Sequence, residues 1–313
     1  MHPPAHFRSV TTMNDELNKK FAITGHVSFE KGAGGLTKAI LRSGADSSAE
    51  LYLFGATLTS WCVPEFGELL FLSPTADLTG ASAIRGGVPL VFPQFSKGDN
   101  ALPSHGFARI SHWSVLATTV SDEGDVSISL GLSDSESSRA VWPHAFAVEL
   151  SVVLGKTLCM KFRCTNKGDR AFQFHMAYHT YFRIDDISSS SISGLQGVRY
   201  LDSANHRVES TQEESALRIS REIDRIYQQA PDFVSINSLA RSLSIRVHKE
   251  RLSDIVVWNP WIDRSRAIAD LEDNAYRSFV CVETGTVVNP TTIAPHDSCE
   301  AVQILSYERV SEV

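Results

Sequence analysis

The sequence predicts an all-β fold: a large antiparallel β-sandwich with few short helices. Three observations carry this. Apolar and polar residues alternate with period two, as where Val126, Ile128, Leu130 and Leu132 are separated by Ser127, Ser129 and Gly131. Helical periodicity is scarce. Glycine, proline, serine and aspartate interrupt the chain at short intervals. A period-two row puts alternate side chains on opposite faces of a sheet, and short interrupted rows fold back as hairpins.

Taken in chain order, residues 1–20 are polar and lack the apolar core of a secretory signal, so a disordered leader is expected. Gly32-Ala33-Gly34-Gly35 lacks the third glycine of a dinucleotide fingerprint and the Gly-Lys-Ser/Thr ending of a P-loop; it reads as a hairpin turn. Val148, Leu150, Val152 and Leu154, then a Gly155-Lys156 turn, then Leu158, Met160, Phe162 and Cys164 read as a hairpin. Leu243, Ile245 and Val247 form another row, and 301–305 a less regular one. Short helices are expected at 137–142 and 217–226. No stretch is long enough for a flexible linker and no fixed-period repeat occurs, so 21–313 is expected to be a single domain.

Composition excludes several classes. The 313 residues are 42% hydrophobic and 21% charged, with a net charge of -7. No run of five basic residues occurs, so nucleic-acid binding has no electrostatic support. No apolar run approaches the ~18 residues of a membrane helix. Cys62, Cys159, Cys164, Cys281 and Cys299 are odd in number and scattered among apolar neighbours. They are expected to be reduced, buried thiols in a cytoplasmic protein, and no pair has zinc-knuckle spacing. No Gly-x-Ser-x-Gly elbow supports a serine hydrolase.

Three segments carry possible chemistry. Residues 85–109 hold Arg85, His105 and Arg109 among glycines and prolines, which suits a shaped loop. Gly86 and Gly87 permit a close backbone approach. The two guanidinium forks suit a carboxylate or phosphate, or else two surface ion pairs. In the second segment, 172–182, a strand would put Gln173, His175, Ala177, His179 and Tyr181 on one face. Such a face lines a ligand cleft, or its histidines are core residues bonded to backbone carbonyls. Zinc is rejected here: Met176 stands where zincins carry Glu, and on a strand the two rings lie roughly 13 Å apart. In the third, Phe279, Cys281 and Glu283 share a face, with Glu283 at a strand end before Thr284-Gly285. Partial desolvation would make it a better base; the alternative is an ordinary solvated glutamate. Trp258-Asn259-Pro260-Trp261 reads as an aromatic turn, packed under a loop or offered to a sugar ring.

Six pieces in order give a resemblance over residues 21–310: Ala83-Ile84-Arg85-Gly86-Gly87-Val88-Pro89-Leu90-Val91-Phe92-Pro93, Leu102-Pro103-Ser104-His105-Gly106-Phe107-Ala108-Arg109, Tyr178-His179-Thr180-Tyr181-Phe182, Tyr200-Leu201-Asp202, Val257-Trp258-Asn259-Pro260-Trp261 and Cys281-Val282-Glu283-Thr284-Gly285. Together they resemble the glucose-6-phosphate 1-epimerase branch of the aldose 1-epimerase, or galactose mutarotase-like, superfamily. The resemblance implies a supersandwich with sugar on its concave face. It implies His179 as general acid and Glu283 as general base. Arg85 and Arg109 would bind the substrate, chiefly its phosphate; His105 and Asp202 would contact sugar hydroxyls or brace the site. Two departures stand out. Ser104 occupies a frequent Gln position, which shortens or removes a hydroxyl contact. Thr284 replaces a frequent Pro, with an effect expected only on the turn.

The implied activity is an isomerase interconverting α and β anomers of hexose 6-phosphates, glucose 6-phosphate foremost. One group takes the anomeric proton while another protonates the ring oxygen. A carboxylate and an imidazole, with ordinary pKa values of about 4.3 and 6.5, suit this once burial moves them. No cofactor or metal is expected, and no nucleic-acid or membrane partner; the chain is expected to act as a monomer. The competing readings are a catalytically silent sugar-phosphate-binding protein and a mutarotase of unphosphorylated aldoses.

Overall fold

The alternating rows pair as the sequence expects in the computed structural model of the chain, which describes residues 10–98 and 101–310. Strands Phe146–Leu154 and Leu158–Asn166 form the expected hairpin, with Leu158 opposite Leu154. Every second residue of Phe146–Leu154 is buried, so the hydrophobic pattern sets the register. The strand Ser298–Arg309 covers the other edge of Leu158–Asn166. These belong to a nine-stranded sheet; an eight-stranded and a five-stranded sheet complete the fold. Strand pairing is antiparallel throughout the three sheets. Gly32-Ala33-Gly34-Gly35 joins the antiparallel strands Val27–Lys31 and Thr37–Arg42, as expected.

The eight-stranded sheet positions the site. From one edge it runs Val208–Thr211, Arg199–Asp202, Ile223–Tyr227, Asp254–Asn259, Phe279–Ile293, Phe172–Tyr178 and Leu90–Val91, and the eighth strand, Tyr181–Arg183, pairs with the start of Phe279–Ile293. Its inner face and the nine-stranded sheet share one apolar cluster, which includes Phe146, Phe162, Phe174, Tyr178 and Val282. Phe92 is its hub: its ring lies 5.2 to 5.6 Å from those of Trp142, Phe146, Phe162 and Phe174. Truncating such a side chain to Ala costs about 3–5 kcal/mol, so the loop around residues 85–109 is strongly anchored.

Several expectations are corrected. Residues 217–226 are not helical; they hold strands Ala216–Leu217 and Ile223–Tyr227. Ile223, Ile226 and Tyr227 are buried between two neighbouring strands, and that pairing overrides a weak helical period. The other short helix forms as Glu136–Val141, capped by Ser135. From Val10 onward the expected leader is a 12-residue helix, Val10–Phe21. Leu17 and Phe21 pack on the main core, a long-range contact that local polarity hides. The Asn18 amide donates to the Phe29 carbonyl at 2.6 Å and accepts from the Phe29 N–H at 2.8 Å. Residues 1–9 lie outside the described residues. All five cysteines are free, but only Cys164 and Cys281 are buried; Cys62, Cys159 and Cys299 are partly exposed. Among the described residues no helix is long and apolar enough to cross a membrane.

Candidate active site

A cavity of about 510 Å³ opens on the outer face of the eight-stranded sheet, and Arg85, Ser104, His105, Arg109, His179 and Glu283 all line it. Two roomier grooves, of about 880 and 590 Å³, lie around Glu149 and Arg163 and around His296 and Glu300. Neither holds a buried acid–base pair, so the smaller cavity is the candidate site.

The glycine pair seats Arg85. Gly86 and Gly87 have φ of 117 and 65. A Cβ at these positions would stand 2.4 Å from the Phe71 carbonyl oxygen and 2.1 Å from that of Leu58. The close approach is therefore to neighbouring backbone, and it laces the loop to the fold. Arg85 then donates through Nε to Asp270 at 3.0 Å and through Nη1 to the Tyr181 hydroxyl at 3.2 Å. Burial opposes its charge, but Tyr181 and Asp270 outweigh burial and raise its pKa. Arg109 donates to the Ser104 carbonyl at 3.0 Å. His105 is left-handed, with φ of 61, and meets the His179 ring edge-on at 5.4 Å.

His179 stands in the break between strands Phe172–Tyr178 and Tyr181–Arg183. Its ring stacks on Tyr181, with centroids 5.0 Å apart, and meets Trp258 edge-on at 6.1 Å. Its Nε2 lies 3.3 Å from Oε1 of Glu283. Ala177 and Tyr181 share its side of the sheet as expected, and His175 alternates with the core residues Phe174 and Met176 onto that same side but does not line the cavity. Glu283 is not at a strand end: Phe279–Ile293 continues through Thr284 and Gly285, and Glu283 is buried. Gly285 allows this, since a Cβ there would stand 2.6 Å from the Met176 carbonyl oxygen of the paired strand. Thr284 is accordingly a buried strand residue and not part of a turn. The two tryptophans divide: Trp258 lines the cavity, while Trp261 packs on Tyr276 with centroids 5.1 Å apart.

Asp202 is the one expected substrate contact that does not line the cavity. It stands opposite Arg225 in the strand pair, whereas the cavity-lining Ile226 stands opposite Leu201. Period two therefore turns Asp202 to the other face, where its carboxylate lies 3.8 Å from Arg225 Nε. Asp224, on the cavity face, was hidden by the helical reading of 217–226. A strand reading, with an acid between isoleucines, would have found it. Asp270 is 185 residues from Arg85, and no local signal marks it.

Electrostatics set the protons. Burial, then Asp224, push Glu283 well above the ordinary glutamate range, against an opposing effect of Arg109. Burial, then His105, Arg109 and Arg85, push His179 well below the ordinary histidine value. His105 is pushed down to about 3 by burial and the same two arginines. These opposite directions favour the proton on Glu283 over His179. His179, Cys281 and Glu283 each offer a ligand atom within 4.8 Å of the others, a spacing that could hold a metal ion. Occupation would require Cys281 and Glu283 to lose protons that burial holds in place.

Residues 38–306 match the aldose 1-epimerase family. A protein of Cenchrus ciliaris, named provisionally as a glucose-6-phosphate 1-epimerase, is 37% identical over 85% of this chain and 83% of its own length. A protein of Escherichia coli with the same name is 35% identical over 75% of this chain and 79% of its own length. The solved structure of a provisionally named mutarotase from Salmonella typhimurium superposes with a TM-score of 0.86 at 28% identity, covering 95% of this chain and 99% of that one. A galactose mutarotase-like protein of Clostridium acetobutylicum shares the fold at 16% identity, with a TM-score of 0.73 over 91% of this chain and 98% of that one. The sandwich, its ordered motifs and a family match that spans most of the sequence lead to one placement: the chain belongs to the aldose 1-epimerase family.

Proposed function

We propose that this protein interconverts the α and β anomers of hexose 6-phosphates, with glucose 6-phosphate as the first substrate to test. The observation that carries the reading is the buried His179–Glu283 contact in a cavity that also holds Arg85 and Arg109. The names of the relatives agree with a phosphorylated sugar.

Arg85 and Arg109 receive the phosphate, and Ser104, His105 and Asp224 meet the sugar. Both arginines depress His179, whereas Arg109 alone of the two acts on Glu283. A phosphate dianion cancels that positive field, which bears on His179 more than on Glu283, and so shifts the proton they share toward His179. Glu283 then takes the proton of the anomeric hydroxyl. His179 gives its proton to the ring oxygen, the C1–O5 bond breaks and the aldehyde forms. Rotation about C1–C2 presents the other carbonyl face. The ring oxygen returns its proton to His179 as it attacks, and the new O1 takes the proton from Glu283. Atoms and charge balance without a cofactor. Asp202 braces the strand beneath the site through Arg225. On this reading residues 21–313 are one mutarotase-like domain that acts as a monomer in the cytoplasm.

The test follows fresh α-glucose 6-phosphate through a β-specific dehydrogenase, with glucose beside it. Acceleration well above the spontaneous rate, for the phosphorylated sugar in preference to glucose, is expected. Binding without acceleration would mean a silent sugar-phosphate binder. Equal acceleration of both sugars would mean a mutarotase of unphosphorylated aldoses.

A further inference from the structure

We infer that Gln303, acting through Thr180 and Thr284, is a positioning residue that sets the spacing of His179 and Glu283. The inference rests on the acid–base reading above. Gln303 belongs to Ser298–Arg309, in the nine-stranded sheet behind the site, and its side chain is fully buried. Thr284 Oγ1 donates to Gln303 Oε1 at 2.9 Å. Thr180 Oγ1 lies 3.2 Å from the same oxygen and 3.1 Å from Gln303 Nε2. Thr180 directly follows His179, and Thr284 directly follows Glu283. One amide therefore ties together the two backbone points next to the reacting side chains.

The location explains why a tie is needed. The strand carrying His179 is interrupted there: the Thr180 N–H turns back to the Tyr178 carbonyl at 2.9 Å. One backbone bond crosses to the Glu283 strand beside the break, from the Val282 N–H to the Thr180 carbonyl at 3.2 Å. A regular ladder would fix the register at every residue, and here it is broken at His179. Thr284 alternates with Glu283 along its strand, so its hydroxyl is aimed into the core while the carboxylate faces the cavity. The three polar groups are wholly buried, and an apolar trio of equal volume would pack there without the desolvation cost. What the polar trio adds is a single satisfied geometry. An acid–base pair is sensitive to such geometry, because a misplacement of about 1 Å can cost about a hundredfold in rate.

The experiment compares Thr284→Val, Thr284→Ser and Gln303→Met with wild type, measuring kcat, KM, the pH–rate profile and Tm. Glu283→Gln and His179→Asn run in parallel. Thr284→Val and Gln303→Met should lower kcat by about ten- to a hundredfold, leave KM for glucose 6-phosphate within about twofold, and displace the limbs of the pH profile. Thr284→Ser, which keeps the hydroxyl, should recover the wild-type profile. A role in stability alone would lower Tm and leave kcat of the folded fraction and the pH limbs unmoved; that result overturns the inference. Should Gln303→Met not fold, the Thr284 pair decides by itself. If Glu283→Gln and His179→Asn are inactive while Thr284→Val behaves as wild type, only the positioning role falls. If Glu283→Gln keeps wild-type kcat, the acid–base reading falls with it.

Discussion

His179 Nε2 and Glu283 Oε1 are 3.3 Å apart, and the side chains are only 9% and 2% exposed. The remaining polar atoms, Nδ1 of His179 and Oε2 of Glu283, are buried and have no hydrogen-bond partner among the described residues. Buried polar atoms left in this state are costly, and a sugar hydroxyl would satisfy Oε2.

Glu283→Gln keeps the shape of the side chain and cannot accept the anomeric proton. Turnover should fall by about 10²–10⁴-fold while KM changes little. Steady-state kinetics with glucose 6-phosphate checks this, and a variant that keeps more than about a tenth of wild-type kcat removes Glu283 from the base role.

The rate should fall at both pH extremes. On the acid side the pair takes a second proton at His179, whose pKa is depressed; on the alkaline side it loses its last proton from Glu283, whose pKa is raised. Asp224 contributes to that elevation. Asp224→Asn removes a negative neighbour, so Glu283 releases its proton more readily and the alkaline limb of kcat/KM should move to lower pH. An unmoved limb would show that Asp224 does not act on Glu283.

Arg85→Ala and Arg109→Ala separate the substrate classes. A charge-assisted contact is worth about 1.5–3 kcal/mol, so each change should raise KM for glucose 6-phosphate by about tenfold or more. The weak activity on glucose should barely change. Inorganic phosphate should compete in wild type and less well in either variant; equal losses on both sugars would leave mutarotase activity without the phosphate preference.

Stability should fall as the solution is acidified. Burial, then Arg109 and Arg85, push His105 down to about 3 in the folded protein, against about 6.5 unfolded. Below about pH 6.5 the unfolded chain therefore binds a proton that the folded chain refuses, and the loss grows until the folded value is reached. From this residue alone the difference between pH 7 and pH 5 amounts to up to about 2 kcal/mol. Urea unfolding at the two pH values should show a smaller decline for His105→Gln than for wild type.

Much of this was legible in the sequence, for identifiable reasons. The hairpin around Gly155 and the shared face of Cys281 and Glu283 follow from period two, which depends on local spacing alone. Arg85, Arg109, His179 and Glu283 stood out because charged groups are unusual among glycines and apolar residues. What stayed hidden depends on contacts remote in sequence. Asp270 reaches Arg85 across 185 residues, and Gln303 reaches Thr180 across 123. The face that Asp202 occupies was not legible, because a motif names a residue without saying which side of its strand it is on. Asp224 was lost with the helical reading of its segment, and the helix Val10–Phe21 because its apolar side chains find partners only in the assembled core.

The clip between Asn18 and Phe29 bears on how copies of this chain behave toward one another. Val27–Lys31 is the outermost strand of the five-stranded sheet, the place where another chain could add a strand of its own. The Asn18 amide occupies the Phe29 N–H and carbonyl, so the template is blunted at its centre. A chain shortened to begin after Phe21 would bare that edge along with the apolar surface beneath the helix. Light scattering should then show self-association at concentrations where the longer chain stays dispersed.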